Sequence, residues 1–459
     1  MRVLDRRSLC IAALVALTVP TALAQRGGGG TEWRQWRGPS NTGMAVGDAP
    51  LKWNDTTNVT WKVAIPGRGF SSPVIAGDRI FITTAIPTQD AAQPPAGRGR
   101  GPGGGAGGGI EHRFVVMALD RETGKTLWER TATTATPHEG YHRIYGSFAS
   151  NSPVTDGKRL FASFGSRGLY AYDVTGKELW RKDFGVQMKM RLQFGEGSAI
   201  VLSGNRIIAL YDHVGDSFLA ALDADTGKEI WRTPRIARSN WSTPLVVEHG
   251  GKKQIVVSAS EKVAAYEFET GTEVWSATGL GENTIPQPVQ HGDMVIVMSG
   301  YRNPKLLAIR LGRTGDLTGT DAIVWTTTRG LSYTASPVLH DGKLYVLTDT
   351  AQLSCFDVAT GAPFYQQARF EKPYNIKASA VGVNGKLYIS TEEGDVVVVR
   401  MGETFEVLAT NSLTDQSFIA TPAVVGGDIF LRSRTHLFRI GEPGALLLPE
   451  SDRVMTRNH

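Results

Sequence analysis

The sequence predicts an all-β chain folded as an eight-bladed β-propeller, a ring of four-stranded antiparallel blades closed by an N-terminal strand. Three observations lead there. A phrase built on an Asp followed by Thr-Gly-Lys-x-x-Trp ends at Trp128, Trp180 and Trp231, and a more worn copy ends at Trp275. The copies stand roughly fifty residues apart, a period that marks a repeat architecture. Eight apolar runs, most opened by a small residue and a proline, begin near Ser72-Pro73, Ser152-Pro153, Ser198, Thr243-Pro244, Pro286-Gln287-Pro288, Ser336-Pro337, Ser379-Ala380 and Thr421-Pro422. No stretch carries a long apolar period of 3.6 residues, so helices are expected to be scarce.

The clearest unit runs from Ser152 to Asp183. Its apolar runs reverse at Asp156-Gly157, Arg167-Gly168 and Thr175-Gly176, which is the punctuation of an antiparallel meander. Proline is acceptable at the first residue of a strand, where the ladder hydrogen bond can be forgone. Fourth strands carry Trp128, Trp180, Trp231, Trp275 and Trp325, with Tyr365 and Val407 in the equivalent place of two later units. The eighth unit stops after its third strand at Gly441, and a spare strand around Trp61 lies at the other end of the chain. Pairing the two closes the ring and removes the exposed break between first and last blades. Radially packed, twisted blades leave wedge-shaped gaps, and a large flat side chain fills one. Trp61, Trp128, Trp180, Trp231, Trp275 and Trp325 are therefore expected to dock blade on blade and not to bind a ligand.

Outside the ring, Arg2, Arg6 and Arg7 precede an apolar stretch from Leu9 to Leu17, and Ala22-Leu23-Ala24 follows. This is the order of a cleaved export signal over residues 1–24. An exported, periplasmic or extracellular location follows from it, with no transmembrane span after its removal. Loss of Arg2, Arg6, Arg7 and Asp5 leaves a formal charge of +3, too mild to argue for nucleic acid. Cys355 then stands alone, so no intramolecular disulfide can form. Residues 25–57 are expected to be a linker and extension, residues 58–441 the propeller, and residues 442–459 a tail. A Gly-rich insertion over residues 87–110, containing GRGRGPGGGAGGG, lengthens one hairpin of the first blade.

The Asp-to-Trp turn phrase, the Ser-Pro-Val strand starts and the eight units resemble the PQQ-like (pyrroloquinoline-quinone-like) β-propeller superfamily, which includes quinoprotein alcohol dehydrogenases and BamB-type outer-membrane assembly lipoproteins. The segment WRQWRGPSNTG, from Trp33 to Gly43, is similar to exported members of that group. The resemblance implies the ring, and for the enzyme branch it implies PQQ with calcium, an adjacent cysteine pair and a set of carboxylates. The chain has no Cys-Cys pair and no stretch matching the calcium motif, and it lacks the lipid-attachment cysteine of the BamB branch.

Candidate sites lie where the repeat is interrupted. His138-Glu139-Gly140-Tyr141-His142 fits the H-E-x-x-H zinc pattern, but that pattern needs a helix to align the two imidazoles. Pro137 and Gly140 place it in a loop, which is expected to bring His138, His142 and Arg143 to the mouth of the central funnel. Asp212, His213 and Asp216 interrupt the third unit, where two carboxylates and an imidazole could hold a divalent cation or orient a polar ligand. Trp241 stands outside the docking series, at the entrance of an inner strand, as a funnel contact. The expectation is a non-catalytic envelope scaffold, without a cofactor, that binds a protein, peptide or glycan; the alternative is a PQQ- and calcium-dependent oxidoreductase.

Overall fold

The computed structural model describes residue 30, residues 32–89 and residues 107–442. The expected export signal, most of the Gly-rich insertion and residues 443–459 lie outside the described residues. Inner strands Val74–Ala76, Val154–Thr155, Val201–Ser203, Leu245–His249, Val289–His291, Val338–His340, Val381–Val383 and Ala423–Val425 open blades one to eight. Each blade then runs outward strand by strand as an antiparallel meander. The only helical segments among the described residues are two short 3-10 turns, Gly165–Arg167 and Arg191–Gln193. No helix among them is long and apolar enough to cross a membrane.

Burial explains the strand composition. The two middle strands of blade three, Arg206–Tyr211 and Ser217–Asp223, are buried on both faces because blades pack on either side of them. The outer strand, Glu229–Arg235, is exposed or part-buried until its last residue, Arg235, which is buried. Outer strands share a bulge just before the tryptophan: Ala171 pairs with Trp180 and Tyr172 with Glu178, so Leu179 is the extra residue. The same shift leaves out Leu127 and Ile230. A bulge increases local twist and re-aims the next side chain, and here it turns the indole toward the following blade while Leu127, Leu179 and Ile230 face solvent.

The indoles meet the next blade's Thr-Gly turn. Trp128 Nε1 donates to Val174 O at 3.0 Å, Trp180 to Ala224 O at 3.0 Å, Trp231 to Phe268 O at 3.2 Å and Trp325 to Val358 O at 2.9 Å. Trp61 repeats the contact across the seam, donating to Arg121 O at 3.2 Å. Trp275 differs and donates to Gln254 Oε1 of its own blade at 3.1 Å. Blade five has no Thr-Gly-Lys turn to receive it. The connection there folds back instead, and Gly315–Asp316 adds a short parallel fifth strand beside Trp275.

Closure follows the sequence expectation. Val59–Ala64 pairs antiparallel with His436–Ile440 and completes blade eight. A second closure runs around the axis. Backbone N–H groups of Ser72, Ala199, Gln287, Ser336, Ser379 and Thr421 donate to the hydroxyls of Ser152, Thr243, Ser336, Ser379, Thr421 and Ser72. The two boundaries left are bridged by Asn151 Nδ2 to Ser198 O at 2.8 Å and Ser242 Oγ to Pro286 O at 3.0 Å. A Ser or Thr at the strand entrance thus satisfies a buried backbone donor of the preceding blade at six of the eight boundaries, and the belt is continuous.

The extension before Asn58 is packed, not loose. Trp33 bridges Ile75 of blade one, Thr155 of blade two donates to Arg34 O, Leu339 of blade six donates to Thr42 O, and Met44 bridges Gly382 of blade seven. Residues 33–44 therefore cross the axis and close one end of the channel. Arg37 is wholly buried in this crossing and donates to Pro337 O at 2.5 Å and Ala380 O at 3.3 Å. Gly43, at φ +80°, is where a side chain would collide with the Arg37 guanidinium.

Candidate functional site

The belt and the crossing segment leave a blind funnel on the axis. Its cavity of about 300 Å³ takes lining residues from every blade, because each inner strand enters at the same level. Trp36, carried in by the crossing segment, forms part of the lining together with Phe70, Tyr145, Phe194, Trp241 and Tyr333. Trp36 is next to the buried Arg37, whose guanidinium lies 5.5 Å from its ring centre. The lining is thus aromatic on its walls and hydroxyl-bearing at the belt, a combination that suits a ligand with an apolar body and a polar end.

His142 faces this cavity and His138 does not. The segment from Pro137 to His142 is not helical, so the two rings do not converge as a zinc pair. His142 stacks on Tyr145 at 4.8 Å and meets Phe194 edge-on at 4.8 Å. Its Nδ1 accepts from the backbone N–H of Tyr145 at 3.2 Å, which leaves the hydrogen of the neutral ring on Nε2. Burial lowers its pKa, with Lys377 and Arg68 acting in the same direction, so the ring is neutral at pH 7. His138 is pinned between Met188 O and Arg167, at 2.8 Å each, beside a small side cavity. Arg143 is exposed, and only its backbone carbonyl is used, by Arg68 at 3.0 Å.

The acidic hairpin of blade three separates instead of converging. Asp212 is buried and accepts from Arg235 Nε at 2.8 Å, Arg235 Nη2 at 3.0 Å and Asn240 Nδ2 at 3.0 Å. Asp212 and the Tyr266 hydroxyl hold the Arg235 pKa up against the opposing effect of burial. Asp216 is exposed at the hairpin tip, and His213 is buried with Nδ1 accepting from Lys189 N–H at 3.3 Å. A charge as deeply buried as Asp212 needs a partner of this kind, and Arg235 and Asn240 together engage both of its oxygens. Trp241 does line the funnel, held by Nε1 donating to Gly195 O at 2.7 Å.

Most of the funnel lining escapes the sequence reading, Trp36, Lys377 and Glu196 among it. Trp36 lies in a segment with no strand period. Lys377 donates to Asp349 at 2.7 Å and lies 4.6 Å from the Tyr145 ring centre. Glu196, half-buried in the wall, accepts from Ser166 N–H at 2.6 Å and Ser166 Oγ at 2.5 Å. Burial pushes its pKa up to about 7, against the Ser166 hydrogen bonds and with Glu139 adding in the same direction. The one sequence signal for it is Gly195-Glu196-Gly197, a carboxylate between glycines just before an inner strand.

The resemblance to quinoprotein enzymes can be tested against this lining. Among the described residues, no three His, Cys, Asp or Glu side chains converge to hold a cation. Glu196 is the only carboxylate of the cavity lining, and it is turned to Ser166. Cys355, the one described cysteine, is buried in its blade, where burial raises its thiol to about 12. The residues present do not fit a calcium–quinone set.

The sequence profile of the family described as outer membrane protein assembly factor BamB matches residues 112–367 and 215–442. A polyvinylalcohol dehydrogenase from Pseudomonas sp is 26% identical over 291 residues, which cover 53% of this chain and 40% of that protein. The chain thus spans less than half the length of that relative. The outer membrane protein assembly factor BamB of Burkholderia pseudomallei (strain K96243) is 24% identical over 296 residues, 62% of this chain and 71% of that one. In fold, the crystal structure of BamB from Moraxella catarrhalis superposes with a TM-score of 0.56 at 11% identity, covering 85% of this chain and 99% of the other. Quinohemoprotein alcohol dehydrogenase from Comamonas testosteroni does so with a TM-score of 0.61 at 10% identity, covering 92% and 82%. Ring, turn phrase and profile agree: the chain belongs to the BamB-described family of PQQ-like β-propellers, within the quinoprotein dehydrogenase-like superfamily.

Proposed function

We propose that this protein is an exported, non-catalytic binding scaffold of the cell envelope, and that the blind funnel is where it holds a ligand. The observation that supports this most is the lining itself. Aromatic walls converge on a cavity of about 300 Å³, with one end filled by the chain's own Trp36 segment. A rigid ring with a pre-formed, largely apolar cavity loses little order on binding. The rim loops around it remain free to meet a protein partner, as expected for a relative of an outer membrane assembly factor.

A second reading, an oxidoreductase of the quinoprotein type, is favoured by the polyvinylalcohol dehydrogenase match. One experiment separates the two. The purified protein is mixed with PQQ and calcium, and its melting temperature and dye-coupled alcohol oxidation are recorded. The scaffold reading expects no turnover and no bound chromophore; a shift of several degrees accompanied by turnover would replace it with the enzyme.

A further inference from the structure

The belt hydroxyls are only half used. Ser72, Ser152, Thr243, Ser379 and Thr421 all line the funnel, and each accepts one backbone N–H from the preceding blade. None of the five gives its own hydrogen to a protein acceptor. A hydroxyl has one donor besides its acceptor sites, so five O–H donors are left uncommitted around the axis. All five residues are buried.

Charge adds to this. Two arginines stand one residue behind the lining: Arg37 follows Trp36, and Arg432 bonds to Ser71, next to Ser72; both are wholly buried. Arg432 donates to Ser71 O at 2.9 Å, Ser71 Oγ at 2.5 Å and Thr83 O at 2.9 Å, while Arg37 donates only to carbonyls. Neither guanidinium has a carboxylate partner, and the Nε of each is unsatisfied. Burial lowers both to about 9, so both stay charged at neutral pH. The lining does not offset them: burial raises its one carboxylate, Glu196, to about 7, and Asp349 beyond it is paired with Lys377. Buried cations without a counter-ion are costly, and a bound anion removes that cost.

We propose that the belt level of the funnel is an oxyanion subsite, which takes a carboxylate, sulfate or phosphate group of the ligand on the uncommitted hydroxyls, with Arg37 and Arg432 supplying the balancing charge. The inference rests on the funnel being the ligand site and adds which end of the ligand enters first. Hydrogen bonds to a charged acceptor are about twice as strong as neutral ones, and the field of two desolvated cations favours an anion over its neutral isostere.

The test compares 2-naphthoate with 2-naphthalenemethanol, which share an apolar body, by calorimetry and tryptophan fluorescence on the intact protein. Naphthoate is expected to bind about tenfold or more tighter than the alcohol. Inorganic sulfate or phosphate should compete with naphthoate more than chloride does at matched ionic strength, and the better competitor names the preferred oxyanion. Arg37→Gln should remove the preference and leave alcohol binding in place. Equal affinity for the two probes, without competition, would overturn the subsite and keep the funnel. Binding of neither would remove the funnel as the ligand site as well. The wild-type comparison holds even if the variant fails to fold. Thr243→Val, which removes one hydroxyl and leaves both arginines, gives a second check through a weaker naphthoate signal.

Discussion

The backbone N–H of Thr421, at the entrance of the last inner strand, donates to the hydroxyl of Ser72, at the entrance of the first, at 3.1 Å. The two residues are far apart in sequence and adjacent across the seam of the ring. With the outer pairing of Val59–Ala64 on His436–Ile440, this bond means the ring is fastened at its inner and its outer edge. The inner fastening uses the N–H-to-hydroxyl contact that recurs at five of the other seven boundaries, so first and last blades meet as most neighbours do.

Ser72→Ala should therefore loosen the seam. It leaves the Thr421 N–H buried without a partner, which costs about 1–3 kcal/mol. Ser72→Thr keeps the acceptor and should cost less. Urea denaturation of both variants checks this. An unchanged midpoint for Ser72→Ala would show that the outer strand pairing alone holds the ends together.

The docking of indole on turn glycine can be isolated within one blade. Gly204 and Gly227 both have positive φ, +58° and +68°. A side chain added at Gly204 meets nothing within 4 Å, while one at Gly227 meets the Trp180 ring at 2.5 Å. Backbone strain of about 1–2 kcal/mol is common to Gly204→Ala and Gly227→Ala. The second must also displace an indole held by its bond to Ala224 O, so it should lose on the order of 1–3 kcal/mol more. Thermal or urea unfolding of the pair measures the difference, and equal losses would mean the indole is not a tight blade contact.

These contacts show what the sequence could carry. Blade count, strand starts and the closing strand at Trp61 were legible because each repeats a local pattern whose physics is local: a turn glycine, alternating burial, a proline at a strand start. The funnel was not. Trp36 and Arg37 sit in a segment that reads as a linker, and Arg37 finds its partners at Pro337 and Ala380, some three hundred residues away. Asp212 and Asp216 look like a pair in sequence, yet strand alternation and a hairpin tip send one inward to Arg235 and the other to solvent. Of the residues singled out for the funnel, His142 and Trp241 line its cavity, and Trp241 directly precedes the belt residues Ser242 and Thr243.

Glu196 gives the fold a pH dependence of defined sign. Its carboxyl is held at about 7 in the folded chain, against an ordinary value of 4.5 that stands for the unfolded one. Between those two values the folded state keeps a proton that the unfolded state has released. Stability from this group therefore falls as pH rises from about 4.5 to about 7, by on the order of 3 kcal/mol at most, and is flat above. Glu196→Gln removes the titration while retaining a side chain that can accept from Ser166 N–H. The variant should match the parent near pH 4.5 and exceed it above pH 7, so the two stability curves diverge across that window. Urea denaturation of both proteins from about pH 5 to about pH 8 reads this directly. Parallel curves would place the Glu196 carboxyl in water, and the funnel wall it belongs to would have to be more open than the Ser166 contacts allow.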